Sequence, residues 1–335
     1  MEPFDTIIEY LTCGKGGTLA TIISRVGATP RGAGAKVFVG DDGKIYGTIG
    51  GGCVEAEVWH HARSVAKQGV ARKLRYALNG KTVLDEGMIC GGTVELFLEP
   101  VTAKHAEVYK KIFECFSGSE RALTITSTED LPFTKTLITE NGRTVGDPLQ
   151  TDFTKEEFER LLCSPSPSVK DGLVIEAVVP FPCLYVYGAG HISQYISRMA
   201  KTVDFHVTIV DDRESFANRE KFPEADEVIV EEFKDDFDTM RPLPNGYVVI
   251  VTRGHKHDAV VLEGVLKKPP RYIGMIGSKR KVKILFDDLR GKGIAEDLLR
   301  TVHAPIGIDI GADTPQEIAI SIVAELIKVR RSTTT

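Results

Sequence analysis

The chain has 335 residues, enough for two domains that each bury a core. Its 47 acidic residues outnumber its 42 basic ones, giving a net charge of −5, which argues against a nucleic-acid partner because such surfaces are basic and clustered. The N-terminal MEPFDTIIEY lacks the positive start and apolar run of a signal peptide, and no apolar run approaches membrane-spanning length, so a cytoplasmic protein without a membrane partner is expected.

PFDTIIEYLTC has the spacing of a short amphipathic helix and GTLATIIS reads as a strand. AKVFVG and KIYGTI flank Asp41-Asp42-Gly43, the pattern of a hairpin. After the glycine run Gly50-Gly51-Gly52, Val54, Val58, Ala62 and Val65 recur at helical spacing, and Gly69 is placed to stop that helix. RKLRYAL and TVELFLEP read as strands, with Cys90 in the loop between them. AEVYKKIFECF reads as a helix, ALTITST and FTKTLITE as strands, Asn141-Gly142 as a turn and TKEEFERLL as a helix. SPSPSVKDG reads as an exposed turn or linker.

From Cys183 onward, near-continuous apolar strands alternate with helices: LYVYGAG, HISQYISRMAKT, HVTIVDD, EVIV, YVVIVTRG, YIGMIGS and the closing PQEIAISIVAELIKVRR. That alternation predicts a parallel sheet covered on both faces. The fold class expected is α/β: a C-terminal Rossmann-like, doubly wound parallel sheet over 181–335, joined to an N-terminal mixed α+β domain over 1–180. No internal repeat is visible in the sequence.

Gly188-Ala189-Gly190-His191-Ile192-Ser193 follows a strand and opens a helix, the setting in which a glycine turn binds phosphate. Gly188 makes the turn, Gly190 admits a phosphate to the amides, and Ser193 replaces the third glycine. Asp211, at the end of the next strand, stands where an acid accepts from ribose hydroxyls and suits NAD better than NADP. Arg253-Gly254-His255 and Gly277-Ser278-Lys279 end two further strands, and His303 begins another strand-end loop. Ligands of such sheets bind outside the carboxyl ends of the strands, so these groups are candidates for one crevice. The competing reading is that the glycines serve geometry alone. His255-x-His257-Asp258 reads as ligand hydrogen bonding in preference to a metal cluster.

The six cysteines are Cys13, Cys53, Cys90, Cys115, Cys163 and Cys183. Their scatter, without a C-x-x-C, predicts free thiols rather than disulfides, iron–sulfur or structural zinc sites. Two of them adjoin glycines, in Gly50-Gly51-Gly52-Cys53-Val54-Glu55 and in Cys90-Gly91-Gly92-Thr93. A thiolate is a nucleophile and a soft metal ligand, and a helix N-terminus, where Cys53 falls, stabilises it. Gly51, Gly52, Cys53, Cys90 and Gly91 are therefore candidate ligand contacts. The alternative is that both cysteines are small buried residues at tight turns. Glu55 and Glu57 fit the helix dipole without any catalytic role.

These segments together resemble the XdhC/CoxI family of xanthine dehydrogenase accessory proteins. The resemblance is carried by GTIGGGCVEAEV, CGGTVELFLEP, VYGAGHIS, VTIVDDR, VTRGHKHD, YIGMIGSKRK and HAPIGIDIGADTPQEIAISIVAE. It implies a protein that binds the molybdenum cofactor (molybdopterin), holds it for sulfuration by a cofactor sulfurase, and delivers it to a molybdenum hydroxylase such as xanthine dehydrogenase. It further implies a homodimer, and Cys53 as a molybdenum contact. A ligand site in the crevice between the two domains is expected. The chain itself lacks the cysteine clusters of an iron–sulfur oxidase. The alternatives are an NAD-dependent oxidoreductase, one of the subunits of xanthine dehydrogenase, and a nucleotide-dependent cofactor transferase.

Overall fold

A computed structural model describes residues 3–77, 92–128, 133–148, 153–164, 166–233 and 245–332, apart from the side chains of Cys53 and His255. The chain forms two compact units, Met1–Pro180 and Phe181–Thr335. Among the described residues, no helix is long and apolar enough to cross a membrane.

The first unit opens with α1 (Phe4–Thr12), then β1 (Gly17–Val26), β2 (Lys36–Gly40) and β3 (Ile45–Gly47). Helix α2 (Gly52–Gln68) follows, ended by Gly69 in the left-handed conformation as its position predicts. Strands β4 (Arg72–Ala77) and β5 (Thr93–Val101) complete a five-stranded sheet in the order β3-β2-β1-β5-β4, antiparallel throughout. Next come α3 (Ala106–Ser117), β6 (Ala122–Ser127), β7 (Lys135–Thr139), β8 (Thr144–Gly146), α4 (Lys155–Leu162), β9 (Ser168–Lys170) and β10 (Leu173–Val178). Their strands form a second antiparallel sheet, β8-β7-β6-β10-β9.

The stretch expected to be a linker is instead partly strand. Val169 pairs with Val174 across Asp171-Gly172, both at positive φ, a tight hairpin turn that the exposed, proline-rich start of the segment obscures.

A buried ion pair ties the two sheets. Lys135 of β7 donates to Glu99 of β5 at 2.7 and 3.0 Å and to Thr126 Oγ1 at 3.1 Å, while the Tyr109 hydroxyl donates to the same carboxylate at 2.7 Å. Lysine and glutamate are almost wholly out of solvent. With these four hydrogen bonds in place the pair is satisfied; removal of one charge would leave the other stranded in a low-dielectric interior.

The second unit carries the parallel sheet. Its strands are β11 (Cys183–Tyr187), β12 (His206–Asp211), β13 (Glu227–Val230), β14 (Tyr247–Ile250), β15 (Tyr272–Met275) and the short β16 (Val302–His303), in the order β13-β12-β11-β14-β15-β16. Every pairing is parallel. Helices α5 (His191–Thr202), α6 (His255–Leu266), α7 (Lys279–Gly291), α8 (Glu296–Arg300) and α9 (Pro315–Arg331) intervene or close the chain. One apolar cluster includes Ile196, Ala200, Ile322 and Leu326 of α5 and α9; another includes Val261, Leu262, Leu285 and Leu289 of α6 and α7. The fold class is the one expected, a Rossmann-like parallel sheet beside an α+β unit. β13 departs from the reading as a buried strand: it is an edge strand with half-exposed residues.

Lys135→Met is expected to destabilise the protein by about 3–5 kcal/mol in urea unfolding. Adding Glu99→Gln, which removes the stranded charge and keeps an acceptor for Tyr109, recovers more than half of that loss. No recovery would show that the pair is not what the sheets depend on.

Candidate functional site

In a parallel sheet each strand feeds a turn and then a helix, so the helix N-termini collect along the strands' carboxyl edge. Three such junctions stand here: β11 to α5 through Gly188–Gly190, β14 to α6 through Thr252–Gly254, and β15 to α7 through Gly277-Ser278. An open cavity of about 900 Å³ lies at the second and third, closed on its far side by the loop after β16. Its size is at the upper end for small-molecule sites, about 300–1,000 Å³.

The cavity has two kinds of wall. Arg253, Lys279 and Lys281 bring cationic groups beside Gly254, Gly277 and Ser278 at the starts of α6 and α7. No side chain caps α6, and a β-carbon at Gly254 would meet nothing within 4 Å, so its own packing does not demand glycine there. Ser278 caps α7 by accepting from the Lys281 amide at 3.4 Å. The opposite wall is apolar, with Ile306, Ile308 and Ile310 of the loop and Ile318 of α9. Asp258 and Asp309 add carboxylates, and Thr252 donates to Asp258 at 2.6 Å. A ligand with an anionic end and a flat, weakly polar body matches these walls.

A residue of α9 that sequence reading missed holds the loop. Glu325 accepts from the Tyr272 hydroxyl at 2.6 Å and from the Gly307 amide at 2.8 Å, and lies 3.0 Å from His303 Nδ1. Burial opposes its ionisation, but these hydrogen bonds hold its carboxyl below the usual glutamate range. Ser321 also bonds the Ile308 carbonyl at 2.6 Å. His303 is thus bound into the anchor of the cavity loop and does not itself line the cavity. An acid spaced along a closing amphipathic helix gives no sequence signal of such a role.

Of the residues expected at one crevice, Arg253, Gly254, Gly277, Ser278 and Lys279 come together. Gly188, Gly190, His191 and Asp211 are not among the residues lining this cavity. Gly188 has φ +109°, and a β-carbon there would stand 2.4 Å from the Val251 carbonyl oxygen, so geometry alone requires glycine. Asp211 is buried, and its role differs from an open ribose acceptor. It accepts from the Ala189 amide at 2.7 Å, the Arg213 amide at 3.0 Å, and Arg213 Nε and Nη2 at 2.8 and 3.0 Å. Arg213, two residues along, takes the carboxylate that a ribose would have to share. Asp212 holds Arg253 at 2.6 Å.

In the first unit, Gly50, Gly51 and Gly52 all have positive φ and lead directly into α2, which no side chain caps. Cys53 is the second residue of that helix; its side chain, like that of His255, lies outside the described set, and Cys90 and Gly91 lie outside the described residues. Glu55 does more than face the helix dipole. Its Oε1 accepts from Thr48 Oγ1 at 2.7 Å and from the amides of Ile49 and Gly51 at 3.1 and 3.0 Å, folding the glycine loop around a carboxylate. Burial would raise its pKa, yet these bonds hold it below the ordinary range. Among the described residues, no group of three or more His, Cys, Asp or Glu could hold a metal ion.

Residues 184–326 match the XdhC Rossmann domain, and residues 11–77 match the XdhC and CoxI family. Similar proteins include one of Bacillus subtilis named as a probable subunit of xanthine dehydrogenase, 27% identical over 99% of this chain and 98% of that one. A molybdenum cofactor insertion chaperone of Escherichia coli, PaoD, is 24% identical over 96% of this chain and 86% of its own length. A crystal structure of a xanthine dehydrogenase from Bacillus halodurans superposes with a TM-score of 0.85 at 26% identity, covering 100% of this chain and 97% of that one.

The Asp211 carboxyl gives a pH prediction. Burial opposes its charge, but Arg213 and the amides of Ala189 and Arg213 outweigh that and lower its folded pKa. A depressed acid contributes stability above its unfolded pKa, about 3.9, and loses it as pH falls through the lower folded value. Asp211→Asn should therefore cost about 1–3 kcal/mol at pH 7, with the gap to wild type narrowing below about pH 4. Urea titrations across that range measure it; a gap independent of pH would contradict the assignment.

Proposed function

This chain belongs to the XdhC and CoxI family, and from that premise we propose that it carries the molybdenum cofactor as cargo and delivers it to a molybdenum hydroxylase of the xanthine dehydrogenase type. The observation that carries this reading is the two-walled cavity of the second unit. Molybdopterin has a terminal phosphate and a flat heterocycle. Arg253, Lys279 and the amides opening α6 and α7 would hold the phosphate, and the isoleucine wall would cover the ring. The similarity to the chaperone PaoD supports a carrier role over an oxidase.

The first unit supplies the second element of the proposal. Cys53, at an uncapped helix N-terminus after the glycine loop, offers a thiolate to molybdenum, a soft ligand for a metal already held by sulfur. Molybdenum supplies the redox chemistry only after transfer to the hydroxylase; here the chain's residues bind, orient and shield. Holding the cofactor while a sulfurase adds its terminal sulfur is part of the same role. For the NAD-dependent alternative, the engagement of both Asp211 oxygens by Arg213 and Ala189 leaves the ribose acceptor occupied.

Anaerobic mixing with molybdenum cofactor, followed by separation and assay of bound molybdenum and pterin, tests the proposal. Wild type should bind stoichiometrically. Cys53→Ala and Lys279→Ala should each weaken binding about tenfold, equivalent to about 1.4 kcal/mol, with the Lys279 contribution falling as salt rises. Retention of NAD with no uptake of molybdenum would overturn it.

A further inference from the structure

The two halves of the first unit repeat one another. Both sheets have the same strand order, and among the described residues each half runs helix, three strands, helix, two strands. Hairpin details coincide. The Asp41 amide bonds the Gly16 carbonyl at 2.9 Å and the Glu140 amide bonds the Arg121 carbonyl at 2.8 Å; Gly43 closes on Gly40 as Gly142 closes on Thr139. Gly47 and Gly146 end β3 and β8 with φ +83° and +108°, and a β-carbon on either would strike a carbonyl oxygen of the neighbouring strand, that of Lys36 or of Lys135. Helices α1 and α3 share one core, with Phe4 and Phe116 ring centroids 5.3 Å apart.

The joint between the halves is reciprocal. Lys36 of β2 bonds Glu176 of β10 at 2.5 Å and Thr21 Oγ1 at 3.0 Å. Lys135 of β7 bonds Glu99 of β5 at 2.7 Å and Thr126 Oγ1 at 3.1 Å. Thr21 pairs with Lys36 across β1 and β2 just as Thr126 pairs with Lys135 across β6 and β7. Each half therefore lends a lysine to the other's last strand and receives one back, as a two-fold arrangement requires.

The halves differ where a ligand would bind. In the first, the glycine loop enters α2 with no side-chain cap; in the second, Thr154 and Glu157 form a capping box that closes the N-terminus of α4. We infer that the first unit is a duplicated module in which only the first copy leaves its second helix without a side-chain cap, with Lys36 as a positioning residue that fixes β2, and through it Gly47 and the glycine loop, against the second copy. The inference that the glycine loop takes cargo rests on the proposed cofactor-carrier function; the duplication does not.

The test uses the full chain, with melting temperature and anaerobic uptake of molybdenum cofactor measured together. Gly47→Ala and Gly146→Ala should each lower Tm by about 3 °C or more. Gly47→Ala should weaken uptake at least tenfold, Gly146→Ala less than twofold, and wild type should take up one molybdenum per chain. Two per chain, or equal losses of uptake, would overturn the asymmetry. Lys36→Glu should lower Tm and uptake; Glu176→Lys should restore both, and Glu99→Lys should not. Rescue by Glu99→Lys, or by neither, would overturn the reciprocal joint. If wild type takes up no molybdenum, the carrier function fails while the Tm results still decide the duplication.

Discussion

The candidate site depends on unsatisfied amides at the helix N-termini that a parallel sheet gathers along its carboxyl edge. Each junction resolves that deficit differently. At α5 no side chain caps the helix, and the Ala189 amide just before it donates to Asp211, which Arg213 in turn neutralises. At α6 no side chain answers, and at α7 a serine answers weakly at 3.4 Å while lysines stand alongside. The cavity lies at the junctions of β14 with α6 and of β15 with α7, displaced from the glycine turn after the first strand of the sheet.

The same principle operates in the first unit with a different outcome. Three glycines at positive φ turn the loop so that the Ile49 and Gly51 amides donate to Glu55. That carboxylate fixes the loop and takes the amides of Ile49 and Gly51 that a phosphate would use.

The elements were largely legible because their apolar periodicity and punctuation agree: Gly69 does stop α2, Asn141-Gly142 does turn a hairpin, and the alternation after Cys183 does make a parallel sheet. What escaped were side-chain interactions that no motif encodes. Asp211 sits where the motif places it, yet its fate is set by Arg213 and by the turn folding back upon it. Glu325 carries no motif, since its role arises only once α9 meets β15 and the following loop. The duplication is invisible in the sequence because the copies share a path and a few pinned residues, such as Lys36 and Lys135, while their helices and loops differ in length.

The central claim is that an anionic, pterin-bearing cargo engages the openings of α6 and α7 in the second unit. Hydrogen–deuterium exchange on the full chain, with and without molybdenum cofactor under anaerobic conditions, reads those amides directly. The account predicts that slowed exchange concentrates at residues 252–258 and 277–282. Slowed exchange confined to the Gly188–Ser193 turn and the end of β12, or none at all, would contradict it.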